Sequence, residues 1–287
     1  MSAKLLVIGD VIDDIIVVPE HAIRPNTDTN ARIEKTLGGS AANVAAWAAF
    51  SGASVQFLGC VGRDDLARNE SNFATAGVSA SLQVSDRPTG SIVVLVDGDS
   101  RSMLTDRGAN QDLNLDAIDA EMADAEMVYL SGYALLGKTT ESVLGLIERA
   151  HAHGALVAVD PGSTGYIADY GVERYRELLK HVDVCFPNLE EAELLRLDGL
   201  VPLLVVTDGE RGATAQFGEG QELGASGLTV ASVDPTGAGD AFCGAFLARF
   251  AESVAGLSDS ASVEAALNAG IAAGAKAVTT LGARPTL

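Results

Sequence analysis

Residues 234–240 read Asp234-Pro235-Thr236-Gly237-Ala238-Gly239-Asp240, and the fold can be worked out from this stretch. The preceding residues 228–233 alternate as a β-strand would. Downstream, phenylalanines recur at every fourth position, which predicts one apolar stripe along a helix: Phe242, Phe246 and Phe250. The stretch therefore predicts a strand, a tight glycine-rich turn and a helix, with Asp240 in the first helical turn.

The residue types in this turn suit phosphoryl transfer. Gly237 and Gly239 allow a sharp bend and a close approach to a ligand. The N–H groups of residues 238–240 then point towards one spot at a helix N-terminus, where negative charge is favoured. A carboxylate at Asp240 beside such an anion hole could accept the proton of an attacking hydroxyl. On these residues alone, an acidic side chain that merely stabilises a helix start remains an alternative.

The composition limits the possible partners. Of the 287 residues, 47% are hydrophobic, and Asp and Glu outnumber Lys and Arg by 39 to 19, which gives a net charge of −20. Such a surface repels nucleic acid and anionic lipid. We therefore expect no nucleic-acid or membrane partner, and we expect a small-molecule substrate held by local groups.

The cysteines and the first apolar run indicate the compartment. Cys60, Cys185 and Cys243 are isolated and odd in number, as expected of free thiols in a reducing compartment. The apolar run at residues 5–8 is too short for a signal peptide or a membrane span. The sequence predicts a cytoplasmic protein.

Strand and helix patterns alternate along most of the chain, which predicts an α/β fold: a doubly wound, mostly parallel sheet with helices on both faces. We expect a single domain over residues 1–287. The predicted strands are 5–9, 54–58, 127–130, 156–159, 184–186, 203–207, 213–217 and 221–224. The predicted helices are 40–50, capped by Ser40, and 65–76, 139–153, 172–180, 188–196, 242–252 and 262–274.

Two further segments have strand patterns without helices between them. The strands are predicted at 15–18, 31–36, 91–96 and 102–105, the last two joined by a turn at 97–99. We expect them to form a small β lid from about residues 12–37 and 88–106. Because exposed apolar strands need cover, a homodimer through this lid is also expected.

Two motifs in this order resemble the signatures of the ribokinase-like sugar kinases, also called the phosphofructokinase-B family. Gly38-Gly39-Ser40-Ala41-Ala42-Asn43 is similar to the N-terminal signature, and residues 234–240 are similar to the C-terminal one. Shorter landmarks follow the family order between and after them: 59–64, 108–110, 159–161, 188–191, 207–209 and 282–285. The resemblance covers nearly the whole chain.

The resemblance implies ATP-dependent phosphorylation of a hydroxyl on a sugar, sugar acid or nucleoside. Asp240 would be the general base, and the amides of Gly237, Ala238, Gly239 and Asp240 would form the anion hole. Asp14 would hold substrate hydroxyls from the end of the first strand. Gly38, Gly39, Asn43 and Tyr133 would line the same pocket.

The resemblance also implies sites for nucleotide and cations. Nucleotide would lie along Asn188, Thr207, Gly209, Gly212 and Asn268. Glu191 would position Mg²⁺ through water, and carbonyls at Asp234 and Thr236 would hold a monovalent cation such as K⁺. From the residues alone, an ordinary helix cap is the simpler interpretation of Asn188 and Glu191.

Two other functions fit parts of the sequence. Residues 132–139, Gly-Tyr-Ala-Leu-Leu-Gly-Lys-Thr, match the P-loop pattern of NTPases, although the loop interior is bulky. A non-catalytic sugar or nucleoside sensor on a kinase scaffold is the second alternative. Relatives that phosphorylate ribose carry Asn where Ile12 stands and Lys where Ser40 stands. The sequence therefore does not identify which compound accepts the phosphoryl group.

Overall fold

The computed structural model describes residues 4–97, 100–252 and 256–286, and its strands form two sheets. The strands are β1 Lys4–Ile8, β2 Ile12–Pro19, β3 Ala31–Gly38, β4 Ser54–Gly62, β5 Ser79–Ser85, β6 Gly90–Asp97, β7 Ser100–Asp106, β8 Met127–Ser131, β9 Leu156–Asp160, β10 Val184–Cys185, β11 Leu203–Thr207, β12 Gly212–Phe217 and β13 Gln221–Ser226. The helices are α1 Ser40–Phe50, α2 Leu66–Thr75, α3 Gly132–Leu135, α4 Thr140–Ala152, α5 Thr164–Tyr170, α6 Val172–Leu179, α7 Leu189–Leu195, α8 Ala238–Phe250 and α9 Ser260–Ala277.

The large sheet has the order β13-β12-β11-β10-β9-β8-β1-β4-β5 in the described chain. The strands from β11 to β5 run parallel to their neighbours, and β12 and β13 pair antiparallel at one edge. Chain order increases outwards on both sides of β1, as in a doubly wound sheet. The predicted fold class is confirmed.

The two faces of the large sheet each bury a separate core. Side chains alternate along β1, so Leu5 and Val7 belong to one core, and Leu6 and Ile8 belong to the other. The first core is covered by residues of α1, α2, α8 and α9, and the second by residues of α4, α5, α6 and α7. In the described residues no helix is both long and apolar enough to cross a membrane.

Helix α8 carries the glycine-rich turn at its start and is anchored by the predicted phenylalanine stripe. Phe242, Phe246 and Phe250 are all buried. Their rings stack in sequence, with centroid distances of 6.1 Å and 5.6 Å. Phe246 also packs edge-on against Phe186 beyond β10. This packing fixes the helix start relative to the sheet.

The small sheet has the order β3-β2-β6-β7 and is built from the two segments that were expected to form it. β2 pairs antiparallel with β3 and parallel with β6, and β6 pairs antiparallel with β7. Gly98 and Asp99, part of the predicted turn, lie outside the described residues. The two segments are far apart in sequence, so only their pairing brings them together.

Several elements differ from the sequence prediction. Residues 228–233 were expected to be a strand, but the structure assigns no strand there, and Leu228, Val230 and Val233 are exposed. The segment leaves the sheet after β13, and the N–H of Val233 donates to Val278 O at 2.7 Å. α3, β5 and α5 were not predicted, and each has only four to seven residues, although Ala80, Leu82 and Val84 alternate along β5.

Candidate active site

The candidate site lies at the carboxyl ends of the parallel strands, beside the point where chain order reverses. Asp10 follows β1, and Ser131 ends the neighbouring β8. The Ser131 hydroxyl donates to Asp10 Oδ1 at 2.9 Å. In open α/β sheets, ligands bind in the crevice formed at such a reversal.

Asp10 caps the helix that carries the first signature. Its carboxylate accepts hydrogen bonds from Ser40 N–H at 2.9 Å and Ala41 N–H at 3.3 Å. The N-cap position is Gly39, with φ +91°, and not Ser40 as predicted. A side chain at Gly39 would come within 2.5 Å of Asp10 O, so only glycine fits between the helix start and β1. The cap comes from a distant residue, which local sequence patterns do not reveal.

Asp240 lies in the first turn of α8, as predicted, and both of its carboxylate oxygens are held. Ser40 Oγ donates to Oδ1 at 2.8 Å, and Asn43 Nδ2 donates to Oδ2 at 2.8 Å. Ser40 is therefore free of the capping role and instead contacts the candidate base. These two bonds join the two signatures in one cluster.

The surroundings of Asp240 set its pKa. Burial raises the pKa of this carboxyl to about 6, while the hydrogen bonds from Asn43 and Ser40 act in the opposite direction. Asp10 raises it further, and Arg284 lowers it. A carboxylate with this pKa is ionised at neutral pH and is a better proton acceptor than an exposed aspartate.

The turn before α8 presents unpaired amides. Gly237 is the N-cap, in the left-handed conformation with φ +76°. The N–H of Ala238 was expected to be free, but it donates to Pro235 O at 3.3 Å because the turn closes on itself. Within the described part of the chain, the N–H groups of Gly239 and Asp240 have no partner. They form the candidate anion hole.

The segment after α9 packs directly on this turn. A side chain at Gly237 would come within 2.6 Å of Ala283 Cβ. Gly282 N–H donates to Asp234 Oδ2 at 3.2 Å, and Asp234 Oδ1 accepts from Thr236 Oγ at 2.7 Å. The conformation of the turn therefore depends on residues near the end of the sequence.

Asp14 was expected at the end of the first strand, but it lies in the small sheet. It is the third residue of β2, and its carboxylate lies beside Gly38, where a Cβ would come within 2.2 Å of Oδ2. Burial raises the pKa of Asp14 to about 7, Asp10 and Asp240 raise it further, and Arg284 lowers it. Asp14 lies in the segment 12–37 that was expected to contribute to the lid, one residue before the predicted start of its strand at Ile15.

Arg284 reaches the same cluster and was not singled out by the sequence. Its Nε donates to Asn43 Oδ1 at 3.3 Å, and its Nη2 donates to Gly38 O at 3.0 Å. Burial lowers the pKa of Arg284 to about 10, and the carboxylates of Asp14 and Asp240 counteract this shift. The position of Arg284 in the last family landmark was the available signal.

Tyr133 lies on α3, which directly follows β8. Its ring packs edge-on against Tyr166 at 5.3 Å. In the same stretch, the ammonium group of Lys138 donates to Gln111 O at 2.8 Å and to Leu113 O. Residues 132–135 of the P-loop match form a helical turn, and Lys138 beyond it is bound by carbonyl oxygens of another segment.

The candidate nucleotide residues lie along the next strands. Asn188 follows β10, pairs with Thr207 at the end of β11, and forms a complete capping box with Glu191. Gly209 and Gly212 flank the turn between β11 and β12, with φ +54° and +114°. Asn268 lies on α9 and is exposed. Thr207 and Asn188 are thus adjacent, whereas Asn268 comes from a separate element.

Two carboxylates beside the candidate nucleotide residues could serve a divalent cation: Asp160 and Glu191. Asp160 ends β9, and its pKa is raised well above its ordinary value, mainly by burial and secondly by repulsion from Glu191. In the described residues no three His, Cys, Asp or Glu side chains converge on a metal position. Mg²⁺ commonly uses one or two carboxylates, with water and substrate phosphates completing its shell. Asp160 and Glu191 fit that arrangement.

Comparison with known proteins identifies the family. The model of the pfkB family carbohydrate kinases matches residues 2–287. The chain is 27% identical to the ribokinase of Haemophilus influenzae, over 100% of this chain and 96% of that protein. It is 28% identical to the adenosine kinase of Dictyostelium discoideum, over 77% of this chain and 74% of that protein.

The solved structures agree on the fold. A putative ribokinase II from Escherichia coli in complex with ATP and Mg²⁺ superposes with a TM-score of 0.84 at 22% identity, over 99% of this chain and 94% of that one. The family match covers nearly every residue, including both signatures. The chain therefore belongs to the pfkB family of carbohydrate kinases and is a phosphotransferase with an alcohol group as acceptor.

Proposed function

We propose that the protein transfers the γ-phosphoryl group of ATP to one hydroxyl of a small sugar, sugar acid or nucleoside, with Asp240 as general base. One observation carries this proposal most directly. The Asp240 carboxylate, held by Ser40 and Asn43, lies in the same helical turn as two unpaired amides. A proton acceptor and an anion hole are thus fixed on one rigid element.

The reaction follows from this arrangement. The acceptor oxygen attacks the γ-phosphorus and forms the new P–O bond, while the bond from phosphorus to the β–γ bridging oxygen breaks and ADP leaves. The hydroxyl proton passes to Asp240. The amides of Gly239 and Asp240 face the negative charge that develops on the phosphoryl oxygens, and the α8 dipole adds to that field.

The acceptor pocket is proposed to lie between the small sheet and α1. Asp14 accepts hydrogen bonds from acceptor hydroxyls, beside the main chain of Gly38 and Gly39. Asn43 forms the floor next to Asp240, and the Tyr133 ring forms a wall. The close approach of Gly38 to the Asp14 carboxylate and the contact between Asn43 and Asp240 support a single compact pocket.

The nucleotide and its cations are proposed to occupy the adjacent strand ends. ATP lies along Thr207, Gly209 and Gly212, with Asn188 near the phosphates and Asn268 near the base. Glu191, and with it Asp160, would hold Mg²⁺ through water, and the ion would neutralise phosphate charge. Main-chain carbonyls at Asp234 and Thr236 would hold K⁺ beside the anion hole. A K⁺ dependence of kcat that Na⁺ does not reproduce would test that site.

The small sheet is proposed to act as a lid on the single α/β domain. Its strands carry Asp14 over the pocket, so closure would place the acceptor against Asp240 and exclude water. ADP release without acceptor should therefore be far slower than with the best acceptor. Equal rates in the two conditions would rule out this role.

The outer face of the lid is proposed to form a homodimer. Paired strand positions place apolar side chains in two rows on the face opposite Asp14: Ile33, Val17 and Leu95, then Ile15, Val93 and Leu104. Ile33 and Leu104 are 61% and 65% exposed. Sedimentation should show a dimer that Leu104→Lys dissociates, whereas a wild-type monomer at every concentration would contradict this.

A cytoplasmic location stays a prediction.

The acceptor is best identified by ADP release with ATP, Mg²⁺ and K⁺ across pentoses, hexoses, sugar acids and nucleosides. We expect strong turnover with one acceptor class, and mass spectrometry of the product should show one added phosphoryl group. Binding of a panel member without any turnover would instead favour a sensor. In the P-loop alternative, Lys138 would have to bind phosphate. Its ammonium group instead donates to Gln111 O, which argues against that alternative.

A further inference from the structure

Three consecutive residues after α9 contact three separate parts of the site. Gly282 binds Asp234 at the start of the glycine-rich turn, and Ala283 packs on Gly237. Arg284 binds Asn43 and Gly38 in the acceptor pocket. The segment is itself anchored, because Trp47 Nε1 on α1 donates to Ala283 O at 2.9 Å.

The contact between Arg284 and Asn43 has a chemical direction. A guanidinium group can only donate hydrogen bonds, and an ionised carboxylate can only accept them. The Asn43 amide lies between the two and satisfies both, with Oδ1 towards Arg284 and Nδ2 towards Asp240. If the amide were reversed, Nδ2 would face the guanidinium donor and Oδ1 would face the carboxylate. Both contacts would become repulsive.

We infer that Arg284 is a positioning residue for phosphoryl transfer, which holds the Asn43 amide in the orientation that presents Nδ2 to Asp240. The inference rests on the proposed role of Asp240 as base. It adds a residue outside both signatures, and it explains how the end of the sequence is coupled to the reacting atoms. Arg284 itself need not touch either substrate.

The charge of Arg284 has a second effect on the same cluster. Its positive charge lowers the pKa of both Asp240 and Asp14. The other titratable groups that interact with Asp240 are the carboxyls of Asp10, Asp14 and Asp160, the phenols of Tyr129 and Tyr133, and the Cys243 thiol. Among the described groups that interact with Asp240, Arg284 is the one with a positive charge. Its loss should therefore move the acidic limb of the pH profile to higher pH.

The test compares Arg284→Met, Arg284→Lys and Arg284→Ala with the wild type, using the best acceptor. We expect Arg284→Met to lower kcat by about a hundredfold, as for a misplaced catalytic group, with little change in KM for ATP. The acidic limb of kcat/KM should shift upwards in Arg284→Met and shift less in Arg284→Lys, which keeps the charge. Millimolar guanidinium ions should partly restore the rate of Arg284→Ala.

Arg149→Met is the matched control. Arg149 on α4 also donates to two acceptors, Leu115 O and Ile118 O, but contacts none of the site residues. Wild-type kcat and an unshifted limb in both Arg284→Met and Arg284→Lys would overturn the inference. Equal losses of kcat in Arg149→Met and Arg284→Met, without guanidinium rescue, would also overturn it, because general destabilisation would then suffice.

The outcomes also separate this inference from the proposed function. Full activity in Asp240→Asn would remove Asp240 as the base, and the inference would fall with it. An inactive Asp240→Asn combined with wild-type behaviour in the Arg284 variants would leave the base in place. Only the positioning role would then be contradicted.

Discussion

Asn43 Nδ2 donates a 2.8 Å hydrogen bond to Asp240 Oδ2, between residues separated by 197 positions in the chain. The bond joins the helix of the N-terminal signature to the helix of the C-terminal signature. It also couples the proposed acceptor pocket to the proposed base. Geometry at this contact should therefore affect kcat more than it affects ATP binding.

Removal of the Asn43 amide should be more damaging than removal of the Ser40 hydroxyl. Both side chains donate to Asp240, but Asn43 also accepts from Arg284 and is buried. We expect Asn43→Ala to lower kcat by about a hundredfold and Ser40→Ala to have a smaller effect. Steady-state kinetics with the best acceptor would measure both variants. Equal effects in the two variants would show that the link to Arg284 has no importance.

The pH dependence should report the ionisation of Asp240. Its pKa of about 6 means that the carboxylate becomes protonated as the pH falls through 6. Because only the ionised form can accept the acceptor proton, kcat/KM should fall by about tenfold per pH unit below this value. Rate profiles from pH 5 to 8 in constant ionic strength would measure it. A flat profile across this range would exclude Asp240 as the base.

The sequence predicted the parts of the site that depend on local pattern. Phe242, Phe246 and Phe250 placed α8, and α8 placed Asp240 in its first turn. The contacts of Asp10 and Arg284 could not be predicted in this way, because they join residues 30 and 241 positions apart. Asp14 was expected at the end of the first strand, although the predicted lid segment from residue 12 already contained it. A short turn after β1 leads the chain into the small sheet at Ile12, three residues before the predicted start of that strand.

Substitution of Gly237 should separate backbone strain from steric contact. Gly237 has φ +76° and would place a Cβ within 2.6 Å of Ala283, whereas Gly137 has φ +78° with open space around it. Gly137→Ala should cost about 1–3 kcal/mol of stability through strain alone. Gly237→Ala should cost more and should also lower kcat, because it would move the amides of the proposed anion hole. Thermal unfolding and kinetics of both variants would test this, and identical behaviour would contradict the role of the Ala283 contact.

Neutralisation of Asp14 should stabilise the folded protein while impairing acceptor binding. The pKa of Asp14 is about 7 in the folded state and 3.8 in the unfolded reference, so the folded chain holds a proton more tightly between these values. Its free energy of unfolding therefore falls as the pH rises from about 4 to 7. Asp14→Asn removes that cost, which partial exposure reduces to about 1–2 kcal/mol.

Thermal unfolding would measure the effect of Asp14→Asn. We expect its Tm to exceed that of the wild type by about 2–4 °C for each kcal/mol at pH 8. The difference should shrink as the pH is lowered towards 4. A lower Tm for Asp14→Asn at pH 8 would show that the ionised Asp14 carboxylate stabilises the fold.

The most direct measurement is the rate of ADP release by Asp240→Asn, with the best acceptor, ATP, Mg²⁺ and K⁺, beside Lys138→Met and the wild type. Because asparagine keeps the shape of the side chain but cannot accept the proton, we expect kcat to fall by about 10²–10⁴-fold. The Tm of Asp240→Asn should not fall below that of the wild type. The kcat of Lys138→Met should stay near the wild-type value. Activity that survives in Asp240→Asn but is lost in Lys138→Met would contradict the account, because the phosphate site would then lie at residues 132–139.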